Sequence, residues 1–300
     1  ALLADPAVDA VIIATPPAPR FDLARRALEA GKHLLLEKPI ALHADQAREL
    51  QRLALARGLS VAVDYEYRAV PLFMQAARLL QAGAVGTPWL VKLDWLMGSR
   101  SDPTRGWNWY SQADQGGGVI GALGTHAFDM LGWLIGPVAS VQALNSVSIK
   151  DRPHPEGGLA PVDAFDVSLV QASLDWQGRP DVPVPAQISL SSVSRNGCGF
   201  CLDITGPDGS LRLSSSNQKD YVHGFELQHA PLGQDFTSVS ADVDLAFAET
   251  WSDGRIAPVA RVLGWWAQSI RSGRPMVPGL AEGVRSRDAC DRTESSLPRA

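Results

Sequence analysis

Along the first 68 residues the apolar positions change period several times. Residues 8–14 (VDAVIIA) form a short, β-branched, nearly uncharged run that ends at Thr15-Pro16-Pro17, the pattern of a buried parallel strand entering a loop. Residues 21–30 place Leu23, Ala24, Ala27 and Leu28 on one helical face and stop at Gly31. A second buried strand covers 33–36 and closes at Glu37-Lys38-Pro39. A second helix is predicted over 45–57, with Ala47, Leu50, Leu53 and Ala54 inward and Gly58 at its end, and a third strand over 60–63. Strand–helix–strand–helix–strand at this spacing calls for a parallel α/β sheet with right-handed crossovers.

Beyond residue 68 the grammar differs. A helix is predicted over 72–81, a period-two strand over 89–96, and a helix over 119–135 that opens on glycines and stops at Gly136-Pro137. Strand-like segments follow at 138–147, 166–176, 187–193 and 201–205, with a hairpin turn at Pro207-Asp208-Gly209 before 211–213. Helices over 258–271 and 281–292 close the pattern, the first with Val259, Val262, Leu263, Trp266 and Ile270 at helical spacing. The prediction is a parallel α/β part over 1–68, followed over 69–300 by an α+β domain built on a large, mostly antiparallel open sheet.

Composition narrows the classes. The 300 residues allow one large or two medium domains, and 45% hydrophobic with 20% charged residues is ordinary for a globular chain. A net charge of -5 gives no overall pull toward nucleic acid or an anionic membrane, and neither is expected as a partner. Three cysteines cannot make a disulfide framework and fit a reducing, cytoplasmic compartment. The uncharged stretch 130–149 is broken by Gly136-Pro137, so it reads as a helix end, a turn and a strand rather than a membrane span.

Several clusters could carry chemistry. Gly116-Gly117-Gly118-Val119-Ile120-Gly121 is a literal G-x-G-x-x-G, but no strand precedes it and no acid follows in 138–147, so the glycines read as a close backbone approach where a helix begins. On that helix His126 and Asp129 lie three apart; they are either an acid/base pair with Asp129 orienting the imidazole, or a satisfied core histidine beside a surface aspartate. Lys38, at the carboxyl end of a parallel strand, is placed either to stabilise charge on a substrate oxygen or as part of a solvated turn. Cys198 and Cys201 form a lone C-x-x-C with only Cys290 besides, too few ligands for a structural zinc site, and no metal is expected. Trp107-Asn108-Trp109-Tyr110, just before the glycines, could wall a pocket.

Taken together, Val11-Ile12-Ile13-Ala14-Thr15-Pro16-Pro17, the run 31–40 (GKHLLLEKPI) and the run 116–129 (GGGVIGALGTHAFD) resemble the glucose–fructose oxidoreductase / inositol dehydrogenase (Gfo/Idh/MocA) family over nearly the whole chain. That resemblance implies a Rossmann domain binding NAD or NADP and a C-terminal sheet that holds sugar-like or polyol-like substrates and forms a homodimer or homotetramer. It implies Lys38 at substrate and nicotinamide, His126 as acid/base, Thr15, Pro16, Pro17 and Glu37 along the cofactor, and Arg68 at the domain junction. With the residue readings of Asp129 and Trp107 added, the expected catalytic set is Lys38, His126 and Asp129, and the expected cofactor contacts are Thr15, Pro16, Pro17, Glu37, Lys38, Arg68 and Trp107. The expected activity is hydride transfer between nicotinamide and a secondary alcohol; the alternatives are NAD-dependent glycoside hydrolysis on the same fold, or a non-catalytic sugar-binding relative.

The sequence departs from the family pattern at three places. Ala122 stands where the family usually has an aspartate, one turn before the histidine, and Arg20 stands where a histidine is common. The first strand, glycine loop, first helix and second strand of the Rossmann unit, ~60 residues in such a unit, are expected ahead of Ala1. With the given residues alone, weak dinucleotide binding and an exposed apolar sheet edge are expected.

Overall fold

The structure is a computed structural model that describes residues 2–296. Three parallel strands, β1 (Ala10–Ile13), β2 (His33–Leu36) and β3 (Val61–Val63), lie in the order β1-β2-β3. Their register pairs Ile13 with Leu36 and Leu36 with Val63, so all three carboxyl ends finish at one level. The ladder carries one residue further, with Glu37 N–H donating to Ile13 O (3.1 Å) and Asp64 N–H to Leu36 O (2.9 Å). The connecting helices are α1 (Pro17–Glu29) and α2 (Ala44–Arg57). Helix α1 begins four residues before the predicted start, because Pro17 and Pro19 fall in its first turn, where a missing N–H costs nothing.

β1 is an edge strand with Ile12 55% exposed, whereas β3 is covered. Val63 N–H donates to Pro278 O (3.1 Å) and Ala62 bridges Gly279, so a segment from late in the chain runs along that edge. Val262, Trp266 and Met276 pack on Leu35 and Ala62. The core of the first sheet is thus completed by residues well outside 1–68.

The second sheet has eight strands in the order β13-β12-β11-β10-β4-β9-β8-β5. These are β4 (Leu90–Leu96), β5 (Val138–Ser146), β8 (Val167–Asp175), β9 (Pro183–Ser191), β10 (Gly199–Gly206), β11 (Gly209–Ser215), β12 (Glu226–Pro231) and β13 (Thr237–Val239). A small hairpin of β6 (Asp151–Pro153) and β7 (Leu159–Pro161) stands apart from it. All pairs in the large sheet are antiparallel except β4 with β9. One face buries Leu93, Trp95, Ile188, Phe200 and Leu202 beneath α3 (Pro71–Gln81) and α4 (Thr125–Leu134). The other face is open and leaves Leu90, Leu144 and Leu169 exposed. Helix α5 (Ile256–Ser272) packs on the first sheet, and helix α6 (Leu280–Ser295) joins the two, touching β3 on one side and β5 and α4 on the other. Among the described residues no helix is long and apolar enough to cross a membrane.

The predicted helix over 119–135 is two pieces: a π-helical turn over Ile120–Gly124, then α4. The glycines before it are sterically required. Any Cβ on Gly117 would strike the Tyr110 carbonyl, and one on Gly118, whose φ is +81°, would lie 2.6 Å from Phe165 O. Gly118→Ala is therefore expected to cost about 1–3 kcal/mol of stability, read from urea unfolding; an unchanged midpoint would contradict the close approach.

Candidate active site

The level ends of the parallel strands bring three short segments into one crevice: Thr15 after β1, Glu37-Lys38 after β2 and Asp64 after β3. In open α/β sheets this is the ligand-binding edge. Arg20, in the first turns of α1, fastens two of the segments by donating to the carbonyls of Thr15 and Pro39. Burial pulls the Arg20 pKa down to about 10 against the opposing pull of Glu37. It serves as a brace between loops.

Lys38 reaches across to the second sheet's helix. Its Nζ donates to Ala122 O at 2.7 Å, on the π-turn. There Thr125 N–H bonds back to Ile120 O, widening the coil at the start of α4. Burial lowers the Lys38 pKa, while Glu66 and Glu37 pull it up. The remaining two N–H groups of the ammonium have no protein partner among the described residues.

His126, in the first turn of α4, is 5% exposed. Its ring sits among Tyr65, Tyr67 and Trp95, with centroids at 6.0, 5.0 and 6.2 Å. Nδ1 is buried with no hydrogen-bond partner, and Nε2 lies 3.7 Å from Glu66 Oε1, just beyond hydrogen-bond length. Burial, and then the charge of Lys38, hold the imidazole pKa well below 6.5, so the ring is neutral at pH 7. Burial, and then Asp64, push Glu66 up to about 8 despite Lys38. Burial, and then Glu37, push Asp64 up to about 7. The Tyr221 hydroxyl lies 3.4 Å from Glu66 Oε1 and 2.9 Å from the Tyr67 hydroxyl.

The structure reassigns three predicted site residues. Both oxygens of Asp129 accept from Arg68 at 2.8 Å in a buried bidentate pair, with the Arg68 guanidinium 5.5 Å from the Trp133 ring. Asp129 therefore does not orient His126, and Arg68 stands at the junction of the sheets with its guanidinium engaged by that aspartate; helical spacing alone could not show that the aspartate's partner comes from the turn after β3. Trp107 docks on the β6–β7 hairpin, with N–H donating to Pro153 O and Nε1–H to Pro161 O, both at 2.8–2.9 Å, and its ring beside His154. Both of its donors are spent there. Cys198 and Cys201 sit at the start of β10, where burial raises both thiol pKa values.

Asp64, Glu66 and Tyr221 were not predicted as site residues. The sequence signal for the two acids was present: they lie two apart immediately after the buried run 60–63.

Residues at the crevice suit the nicotinamide end of a dinucleotide. Thr15 Oγ1, Asp64 Oδ1 and His126 Nδ1 are all buried without partners, leaving polar capacity for a ligand. Among the described residues no glycine-rich loop follows a strand of the three-stranded sheet, so the fit concerns that end alone.

Comparison with known proteins agrees with this architecture. Residues 1–65 match the family described as "Oxidoreductase family, NAD-binding Rossmann fold", and residues 73–212 match the GFO/IDH/MocA C-terminal domain. The chain is 45% identical over 297 residues to the uncharacterized oxidoreductase sll0816 of Synechocystis sp., covering 98% of this chain and 78% of that protein. It is 30% identical over 158 residues to levoglucosan dehydrogenase of Pseudarthrobacter phenanthrenivorans, covering 52% of this chain and 40% of that protein. A solved levoglucosan dehydrogenase in complex with NADH and L-sorbose superposes with a TM-score of 0.86 at 22% identity, over 98% of this chain and 79% of that one. The chain belongs to the GFO/IDH/MocA oxidoreductase family.

Removing one partner of the buried Arg68–Asp129 pair leaves an uncompensated charge. Asp129→Ala is expected to cost about 3–5 kcal/mol in denaturant unfolding. A near-neutral effect would contradict the pairing.

Proposed function

We propose that this member of the GFO/IDH/MocA family oxidises a secondary alcohol of a sugar, polyol or close derivative with NAD or NADP, using Lys38 and His126 on the substrate oxygen. The observation that carries this reading is the convergence of these two residues. Lys38 comes from the end of a parallel strand and His126 from a helix on the other sheet, and the 2.7 Å bond from Lys38 to Ala122 O ties the first to the helical turn before the second. The likeness to levoglucosan dehydrogenase supports a sugar-like substrate.

A bound nicotinamide dinucleotide supplies the hydride acceptor. Thr15, Pro16, Pro17 and Glu37, which follow β1 and β2, would line it. The free N–H groups of Lys38 hold the substrate oxygen through charge-assisted hydrogen bonds and favour negative charge developing there. His126 is neutral with Nδ1 unpartnered, so it can accept the hydroxyl proton. Rings of Tyr65, Tyr67 and Trp95 keep water from the imidazole. The open sheet face with Leu90, Leu144 and Leu169 is the surface this reading gives to a homodimer or homotetramer.

The test is NADH or NADPH formation by the full-length protein with a panel of sugars and polyols. His126→Ala and Lys38→Ala should each lower kcat by ~10²-fold or more. Unchanged turnover in either variant would remove that residue from the mechanism.

A further inference from the structure

If His126 takes the substrate proton, as the proposed function has it, that proton cannot rest comfortably on the ring. The imidazole is enclosed by Tyr65, Tyr67 and Trp95, and Lys38 lies close enough to oppose a second positive charge. Alanine at position 122 offers no carboxylate from the preceding helical turn. Asp129, one turn later, is fully engaged by Arg68. The carboxylate that does reach the ring belongs to Glu66, 3.7 Å from Nε2, in the 3₁₀ turn Glu66–Ala69 that follows β3.

We propose that Glu66 is the carboxylate partner of His126 in this protein, accepting the Nε2 proton as Nδ1 takes the proton of the substrate hydroxyl. In this relay the substrate O–H bond breaks as Nδ1–H forms, and Nε2–H breaks as the Glu66 O–H forms. The carbinol hydrogen leaves with its electron pair as hydride to the dinucleotide. The imidazole ends neutral in its other tautomer, so no buried imidazolium is needed, and Glu66 later releases one proton to water. Tyr221 positions the acceptor, its hydroxyl lying 3.4 Å from Oε1 and anchored on Tyr67.

Glu66 is also faced by Asp64, Glu37 and Lys38 from the strand ends, so ionisation near it belongs to the whole cluster. Burial first, then Asp64 and more weakly Glu37, raise its proton affinity, which suits an acceptor; Lys38 limits the rise. The relay accepts a proton only when Glu66 is ionised, so alcohol oxidation should climb as pH rises through about 8, and the reverse reduction should fall.

The test combines nitrogen NMR of the histidine ring with steady-state kinetics on the full-length protein. There are six histidines, and the His126 signals are identified by their loss in His126→Ala. In the wild type, His126 should remain a neutral Nε2–H tautomer through neutral pH, with ring shifts inflecting near pH 8, and Glu66→Gln should abolish that inflection. The same variant should lower kcat for oxidation ~10²-fold and flatten the rise with pH, and Ala122→Asp added to it should restore ~10-fold or more. Absence of the inflection in the wild-type protein overturns the assignment without recourse to any variant. Wild-type kcat and an unchanged pH profile in Glu66→Gln overturn it as well. If His126→Ala is inactive while Glu66→Gln is unaffected, only Glu66 loses its role; if His126→Ala retains full turnover, the oxidoreductase mechanism fails with it.

Discussion

The hydrogen bond from Lys38 Nζ to Ala122 O is the contact on which the site depends. It links the end of β2 to the π-turn that launches α4, and thereby joins a parallel sheet to an antiparallel one beside Lys38 and His126. One of the lysine's three donors is consumed in fixing its position, and the other two keep a direction rather than sweeping through solvent. Everything else that shapes the crevice serves this juncture. The register of β1, β2 and β3 levels the strand ends, Arg20 clasps the loops after β1 and β2, and the glycines before the π-turn let the chain pass close to the Tyr110 and Phe165 carbonyls.

Around that contact the protein concentrates charge in a way that folding alone would not favour. Glu37, Asp64 and Glu66 surround one lysine, and burial raises the proton affinity of Asp64 and Glu66 toward neutrality. Partly desolvated acids held together oppose one another and oppose stability, and such arrangements gather where proton chemistry needs them. The buried Arg68–Asp129 pair is of another kind. Its geometry is complete on both sides, and it fastens the turn after β3 to α4 without leaving capacity for a ligand. Two ion clusters a few residues apart in sequence therefore differ in kind, one complete in its pairing and the other crowded with desolvated acids.

Much of this was legible in the sequence. The runs 33–36 and 45–57 predict β2 and α2 to within a residue, because a buried strand and an amphipathic helix each carry a clear period. The crevice was legible from Thr15 and Lys38, since residues after parallel strands face the ligand edge. β12, β13 and the β6–β7 hairpin were not predicted, being short and partly exposed with little alternation to mark them. Asp129 was misassigned because spacing on one helix reports which residues share a face, not which distant residue comes to meet them. Glu66 was passed over because its proximity to His126 is a tertiary fact, spanning two sheets. The cover that 278–279 gives β3 is equally long-range.

In the proposed reaction this crevice moves hydride from a carbinol carbon of a sugar-like substrate to a nicotinamide. The most direct measurement is mass spectrometry of the cofactor after turnover with sugars deuterated at individual secondary carbinol carbons. Reduced dinucleotide carrying one deuterium from a single labelled position is the expected result. Reduced cofactor free of label from every secondary carbinol position, or consumption of the sugar with no reduction of cofactor at all, would contradict it.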